Sequence, residues 1–483
     1  MLTVSERKPA GQETPHLSVV AVSRNDDHGG DLQRRMQHFV DGFIAQCRKH
    51  RLNAELILVE WNPPVERPPL EDSLDWPTDF GPARVRVVTV PPELHASLRH
   101  ARALPLFQMI GKNVGIRRAR GRYVLATNID ILLDDATVLH LRDRLQDGTL
   151  LRADRYDVPS DLASDLSFDR VLSDCHSRWF QVHTRLGTLD ARSRSLVGRD
   201  AGAVTRLLAL YCEIQIFGWR ETVRHGGRKL GARVRESWNA ARTGAALLSR
   251  LTLAEVARAA SLGPRRLLGG IRRRALRLLR SGVLRRKVRG LLRRIKRVLQ
   301  LFPKVWKLIP RPTTPQARRL ARIRRLHTNG CGDFTLLSRE DWFRLRGYPE
   351  WPIFSWHIDS VFLVAASAND ISQIALGSRH RIYHIDHSKG SGWSHDGAAA
   401  LFARLDAKGI PYISNEFMRR KELEFAETPD AGIINGENWG FAGHDLPERD
   451  VRPAATANRP SRSANDFLPV HSDREPARAE VNR

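Results

Sequence analysis

The chain has 483 residues, of which 41 % are apolar and 27 % charged, a globular composition with ample length for a large buried core and not that of a disordered chain. Its 79 Lys and Arg against 53 Asp and Glu give a formal net charge of +26, and the length points to two or three domain-sized units. There is no run of about 18 apolar residues to span a membrane, no basic-then-apolar signal layout in MLTVSERKPAGQETPHLSVV, and no CxxC pair among Cys47, Cys175, Cys212 and Cys331. A reducing, cytoplasmic setting is the expectation.

Residues 1–15 read as a flexible tail. Leu17–Ser23, Ala54–Glu60, Ala83–Val90 and Tyr123–Ile129 are apolar, β-branched runs with the look of buried strands. Between them, helical spacing runs from Asp31 to about Arg51 (Leu32, Met36, Phe39, Val40, Phe43, Ile44) and from Phe107 to Arg118. Alternating strand and helix, with strands apolar on both faces, predicts a parallel sheet covered by helices. Ligands of such sheets bind at the carboxyl ends of the strands, so the residues just after each strand are the candidates.

Residues 160–255 read as helical stretches with a few aromatics. The charge is concentrated after them. Between Val256 and Gly332 there are 24 Lys and Arg and no acid, which leaves 55 basic and 53 acidic residues elsewhere. Leu284, Val288, Leu291, Leu292, Ile295, Val298, Leu299 and Phe302 fall on one helical face, with Arg and Lys covering the rest, and Trp306 follows. A basic amphipathic helix with an aromatic flank fits an anionic membrane surface. A surface helix laying its Leu/Ile face on the main domain is the plainer alternative. Nucleic acid fits the charge, but the insert lacks interleaved aromatics for base stacking.

Three stretches carry candidate chemistry. The first is Lys112 to Asp130, a helix, a Gly turn, an apolar strand and then Asn128 and Asp130 at i and i+2. Two oxygen ligands at a strand end suit a hard cation such as Mg²⁺ or Mn²⁺, and a turn cap by Asp130 is the alternative. The second is Gly332 to Asp359. It reads as a strand, a helix capped by Ser338, an aromatic loop with Trp351, Phe354 and Trp356, and a helix from about His357. The aromatic faces suit sugar rings, and Asp359 near a helix N-terminus is favoured as an ionised base. The third is a short strand ending in His384, Asp386 and His387.

The layout N-x-G-x-x-x-A-x-G-x-Y-V-L-x-x-N-x-D over Asn113–Asp130 resembles the sugar-nucleotide half of GT-A glycosyltransferases, notably family 2 and the β-1,4-galactosyltransferase-like enzymes. Gly332–Asp359 resembles the acceptor half of the latter. The resemblance covers about 16–160 and 326–395. It implies a GT-A, Rossmann-like nucleotide-diphospho-sugar transferase fold carrying a basic amphipathic helical insert. It places Ser23, Asn25, Glu60, Asn62 and Asn113 on the nucleotide, with Glu60 at the uridine. It places Asp333, Trp351, Trp356 and His357 on the substrate, and Asp359 as general base. Asn128, Asp130, His384 and His387 are the implied metal ligands, for Mn²⁺ or Mg²⁺, with Asn128 standing where the family has Asp and His357 where Glu is usual.

The expected organisation is a tail (1–15), a sugar-nucleotide half (16–160), a helical variable region (161–255), a membrane-surface insert (256–325), an acceptor half (326–425), and a closing segment with a tail disordered beyond about Pro447 (426–483). The expected activity is transfer of a sugar from a nucleoside diphosphate, UDP foremost, to a hydroxyl of a glycan or glycolipid, inverting the anomeric carbon, at the inner face of a bacterial membrane in surface polysaccharide assembly. Two alternatives are a non-catalytic glycan- or nucleotide-binding protein on the same scaffold, and a membrane- or nucleic-acid-binding protein acting through the Arg-rich insert.

Overall fold

The structure is a computed structural model that describes residues 14–163, 167–197, 208–209, 211–218, 221, 313–387 and 398–455. The amphipathic helix expected over 284–302, and Trp306 with it, lies outside the described residues. Among those described, no helix is long and apolar enough to cross a membrane.

The first half alternates as its apolar runs predict: β1 (Leu17–Ser23), α1 (Leu32–His50), β2 (Ala54–Trp61), α2 (Leu70–Ser73), β3 (Arg84–Val90), α3 (Pro92–Ala96), α4 (Gln108–Arg117) and β4 (Tyr123–Thr127). Then come β5 (Ile131–Leu133), α5 (Asp135–Asp143), β6 (Thr149–Arg152), β7 (Asp154–Val158), α6 (Phe168–Arg178) and the hairpin β8 (Gln181–Thr184) and β9 (Gly187–Asp190). That hairpin lies in the region expected to be helical. β8 alternates half-buried and buried positions and β9 buries one residue, over only four residues each, too short a run to register as a sequence period. The later part contains α7 (Pro315–Ile323), β10 (Phe334–Ser338), α8 (Arg339–Leu345), α9 (Ile358–Ala368), β11 (Ser372–Ala375), β12 (Arg381–Ile385), α10 (Ala398–Ala407), α11 (Asn415–Glu427) and β13 (Glu448–Val451).

Eight strands form one sheet in the order β11-β6-β10-β4-β1-β2-β3-β13. Its centre, β3-β2-β1-β4, is parallel, as expected; β10 and β13 run antiparallel, so the whole sheet is mixed. Period-2 alternation assigns side chains to two cores. Val20, Val22, Ile57, Val59 and Val124 face α4 and α9, while Leu17, Val19, Ala21, Leu56 and Leu125 face α1. Glycine lets α4 lie close on β1: a Cβ at Gly115 would sit 2.4 Å from Val20, and one at Gly111 2.8 Å from Val22. This is the packing reason for the glycine of the N-x-G motif.

A second sheet has the order β5-β12-β7-β8-β9. Two strands of the large sheet continue into it. Only Ala153 separates β6 from β7, and Asn128-Ile129-Asp130 separate β4 from β5. Asp130 therefore sits on the seam between the sheets.

Two boundaries differ from expectation. The insert was expected to run to 325, yet α7 packs on α9 and α11 with Ile323 buried. Disorder was expected beyond Pro447, yet β13 pairs with β3 from Glu448↔Val88 to Val451↔Val85. Residues 456–483 lie outside the described ones. The edge is held by a buried charge cluster, in which Arg86 donates to Glu55 Oε2 (2.8 Å) and pairs with Glu448 on β13. Glu55 Oε1 also accepts from Ser18 Oγ (2.5 Å) and from the Arg120 amide (2.6 Å), tying β1 and the loop before β4 to the same carboxylate.

Removing one member of a buried ionic group leaves the others uncompensated. Glu55→Ala is therefore expected to lower stability in chemical denaturation by about 3–5 kcal/mol. Arg120→Ala, whose side chain is exposed, is expected to cost less than about 1 kcal/mol. Equal small losses in both variants would show that the cluster does not hold the edge.

Candidate functional site

Three titratable side chains meet on the seam. Asp130 arrives from the β4–β5 junction, and His384 and His387 from the end of β12. Asp130 Oδ2 lies 3.3 Å from His387 Nε2, 3.8 Å from His384 Nε2 and 3.0 Å from an Arg35 nitrogen on α1. Asp130 Oδ1 and His387 Nδ1 are buried without a hydrogen-bond partner. Burial alone would raise the Asp130 carboxyl, but His384, His387 and Arg35 outweigh it and hold it well below the usual range. His384 is raised, since Asp130 and Asp157 prevail over burial and the nearby Arg155. One ionised carboxylate with a free oxygen and two imidazoles within 4.8 Å of one another is a donor set fit for a divalent cation.

Asn128, expected as a ligand, is committed elsewhere. Its Oδ1 accepts from Lys112 Nζ (2.7 Å) and Gln108 Nε2 (2.8 Å), and its Nδ2 donates to Asp333 Oδ1 (2.6 Å). An ammonium can only donate and a carboxylate only accept, so the amide orientation follows from its neighbours. With both lone pairs used, Asn128 is a strut beside the cluster. Asp333, expected on the substrate, is a second correction. It is buried, with its other oxygen 2.7 Å from Arg155. It is held below the ordinary carboxylate range because Arg155 and His384 outweigh burial.

Lys112 is the central side chain that the sequence did not single out. It is fully buried on α4 and also donates to the Gly332 carbonyl (2.6 Å). Burial lowers its ammonium to about 8 against the support of Asp333, Asp359 and Asp130. A Cβ at Gly332 would sit 3.2 Å from Asp359 Oδ2 and 4.0 Å from Lys112 Nζ, so this glycine leaves space in front of the carboxylate. Asp359 is the second residue of α9, with its Oδ1 capped by the Ser360 amide (2.7 Å). It is half-buried and lies at the positive end of the helix dipole, as expected.

His357 caps α9 in the left-handed region (φ 65°) and its Nε2 is 3.1 Å from Asn415 Oδ1. Burial lowers its imidazole against the pull of Asp359. Trp351 and Trp356 are half-buried; each meets an aromatic ring edge-on at 5.7 Å, Phe417 for Trp351 and Phe402 for Trp356. Both tryptophans pack against the core beneath α9 and α4.

Ser23, Asn25 and Glu60, the residues expected on the nucleotide, come together where β1 and β2 end. Asn25 (φ 56°) closes a turn through its amide to Ser23 Oγ and reaches Pro68 O, Ser73 and Glu60. Glu60 Oε1 accepts the Leu70 amide (2.9 Å), and burial pushes its carboxyl up to about 7. Asn62 anchors to Val90 O and Pro105 O. Asn113 is a third correction. It is 0 % exposed and its carboxamide bonds the Tyr348 amide and carbonyl and Glu350. It clamps α4 to the Gly347-Tyr348 turn and touches no ligand space.

The residues missed by sequence reasoning are Arg35, Lys112, Arg155, Asp157 and His183. One signal was present: Arg155 and Asp157 put two charges on one face of a short strand. No model of a known protein family matches the chain, and neither does any curated protein.

Glu60 offers a test through pH. Its folded value of about 7 lies above the 4.5 of an ordinary glutamate. Its contribution to stability is thus complete below about 4.5 and is lost as pH rises through about 7. Glu60→Gln, neutral throughout, is expected to gain stability over wild type between pH 5 and pH 8, on the order of 2–3 kcal/mol at the top. Denaturation at both pH values measures this, and an equal difference at both would show that Glu60 ionises without cost.

Proposed function

We propose that the protein is a metal-dependent glycosyltransferase of the GT-A type that moves a sugar from a nucleoside diphosphate, UDP foremost, to a hydroxyl of a glycan or glycolipid. The observation that carries this is that the buried Lys112 ammonium stands within electrostatic reach of two groups: Asp130, which with His384 and His387 forms the cluster with its unpartnered carboxylate oxygen, and Asp359 at a helix N-terminus. Both lie beyond the carboxyl ends of parallel strands, where such sheets take ligands. Two imidazoles beside a carboxylate favour Mn²⁺ over Mg²⁺.

Asp130, His384 and His387 would hold the cation, which supplies charge to the diphosphate as it leaves. Asp359 takes the proton of the acceptor hydroxyl. The acceptor oxygen then bonds the anomeric carbon while the carbon–oxygen bond to the diphosphate breaks, inverting that carbon in one displacement. The edge of β1 and β2 near Asn25 and Glu60 receives the nucleoside, and the wall of Trp351 and Trp356 borders the acceptor. The basic insert, with its alternating Leu and Arg pattern, suits an anionic membrane surface and so a lipid-linked acceptor.

Release of UDP from a panel of UDP-sugars with Mn²⁺ tests the proposal. Turnover with one sugar is expected, abolished by chelation and by Asp130→Ala. Asp359→Asn is expected to reduce kcat by about 10²–10⁴-fold while UDP and Mn²⁺ still bind. UDP binding without turnover under any donor and metal would favour a non-catalytic binding protein instead, and no nucleotide binding at all would sink the proposal.

A further inference from the structure

His384 approaches the cluster with one ring nitrogen, and the fold governs the other. In the parallel pairing of β7 and β12, His384 stands opposite Asp157. Its Nδ1 lies 3.2 Å from Asp157 Oδ1. Asp157 is itself almost fully buried and is gripped on both oxygens. Arg155 Nε lies 2.9 Å from Oδ1 as an ion pair without a hydrogen bond, while Oδ2 accepts from Arg155 Nη2 (3.3 Å) and lies 2.8 Å from His183 Nε2. His183 comes from β8, opposite Arg155, and its Nδ1 is fixed in turn by Thr188 Oγ1 at 3.0 Å. The guanidinium of Arg155 carries the chain onward to Asp333 (2.7 Å), then Asn128 (2.6 Å) and Lys112 (2.7 Å).

We propose that Asp157 is a positioning residue for the cation site: it accepts the Nδ1–H of His384 and so turns the Nε2 lone pair toward Asp130, while Arg155 and the β8 residue His183 hold Asp157 in place. This rests on the reading that Asp130, His384 and His387 hold a divalent cation. A neutral imidazole carries one proton on either nitrogen, and the partner of one nitrogen decides which of the two is free to ligate. A ligating histidine with a carboxylate behind it is both oriented and made a better donor. Asp157 Oδ2 is taken by Arg155 and His183, and Oδ1 faces the Nδ1 of His384, so Asp157 stands behind the ligating histidine. The β8–β9 hairpin, remote in sequence from every motif, thereby becomes part of the site.

Two measurements on the full-length protein test this. Ring ¹⁵N shifts of histidine-labelled wild type, followed up in pH until the His384 signals stop moving, are expected to show its neutral form as the Nδ1–H tautomer; an Nε2–H tautomer would overturn the proposal whether or not any variant folds. Titration with Mn²⁺, followed by the paramagnetic resonance of the free ion, is expected to show binding weakened about 10–100-fold by Asp157→Ala. Asp157→Asn, which still offers an acceptor oxygen to Nδ1–H, is expected to recover part of that loss. Thermal melting confirms that each variant is folded. A folded Asp157→Ala protein that binds Mn²⁺ within twofold of wild type would sink the positioning role alone. Failure of wild type to bind Mn²⁺ would sink the cation site and the positioning role together.

Discussion

A carboxylate removed from water must be met by cations, and at Asp130 that requirement shapes the seam between the two sheets. Three side chains answer it: α1 sends Arg35, and the end of β12 sends both His384 and His387. They converge because β4 and β6 each pass from the large sheet into the small one, so that β5 and β7 flank β12. Arg35 engages one oxygen of Asp130 and leaves the other buried and unpartnered, a costly arrangement in a folded interior.

The strands of the first half were legible because each is buried on both faces, and an apolar β-branched run admits few other structures. The glycine of N-x-G was legible as a motif, and the structure supplies its reason in the contact of α4 with Val20. Asp130, Asp359 and the two histidines were legible as candidates because each follows or opens a regular element, and the fold brings Asp130, His384 and His387 together. Asn113 and Asp333 were misplaced for a common reason. Both are polar residues in a recognisable pattern, and both are consumed by partners more than 100 residues away in sequence. Nothing local distinguishes a buried strut from a ligand contact. Asp157 and His183 escaped notice because their strands are four or five residues long and their partnership exists only once β7, β8 and β12 are paired.

The two expected halves are interleaved in space. β10 belongs by sequence to the acceptor half, yet it lies between β4 and β6 of the first half. Asn113 on α4 bonds the Tyr348 turn, Asn435 bonds the same turn, and Glu350 accepts from both Asn113 and the Gly440 amide. Phe441 then stacks on Trp61 at 6.1 Å and β13 seals the edge at β3. The closing segment is thus a strap that joins the Tyr348 turn to the edge of the large sheet at β3. Charge is partitioned along the chain in a similar way. The site balances its own cations against carboxylates, while the excess positive charge is concentrated between Val256 and Gly332.

The asparagine at position 128 is where the chain departs from the pattern it resembles, and its neighbours account for it. On one side stands Asp333, which needs a donor; on the other stand Lys112 and Gln108, which need an acceptor. A primary amide meets both demands at once. An aspartate there would face the Asp333 oxygen now 2.6 Å from the amide nitrogen and bring two carboxylates into contact. Lys112 supplies a positive charge to the same cluster and touches the Gly332 carbonyl that lies in front of Asp359. Position 128 therefore links the ammonium of Lys112 to the Asp333–Arg155–Asp157 chain behind His384. The amide at 128 and the Asp333–Arg155 pair are thus fully engaged, whereas Asp130 Oδ1, His387 Nδ1 and Arg155 Nε are buried without a hydrogen-bond partner, so the unsatisfied polar atoms lie in and directly behind the cluster.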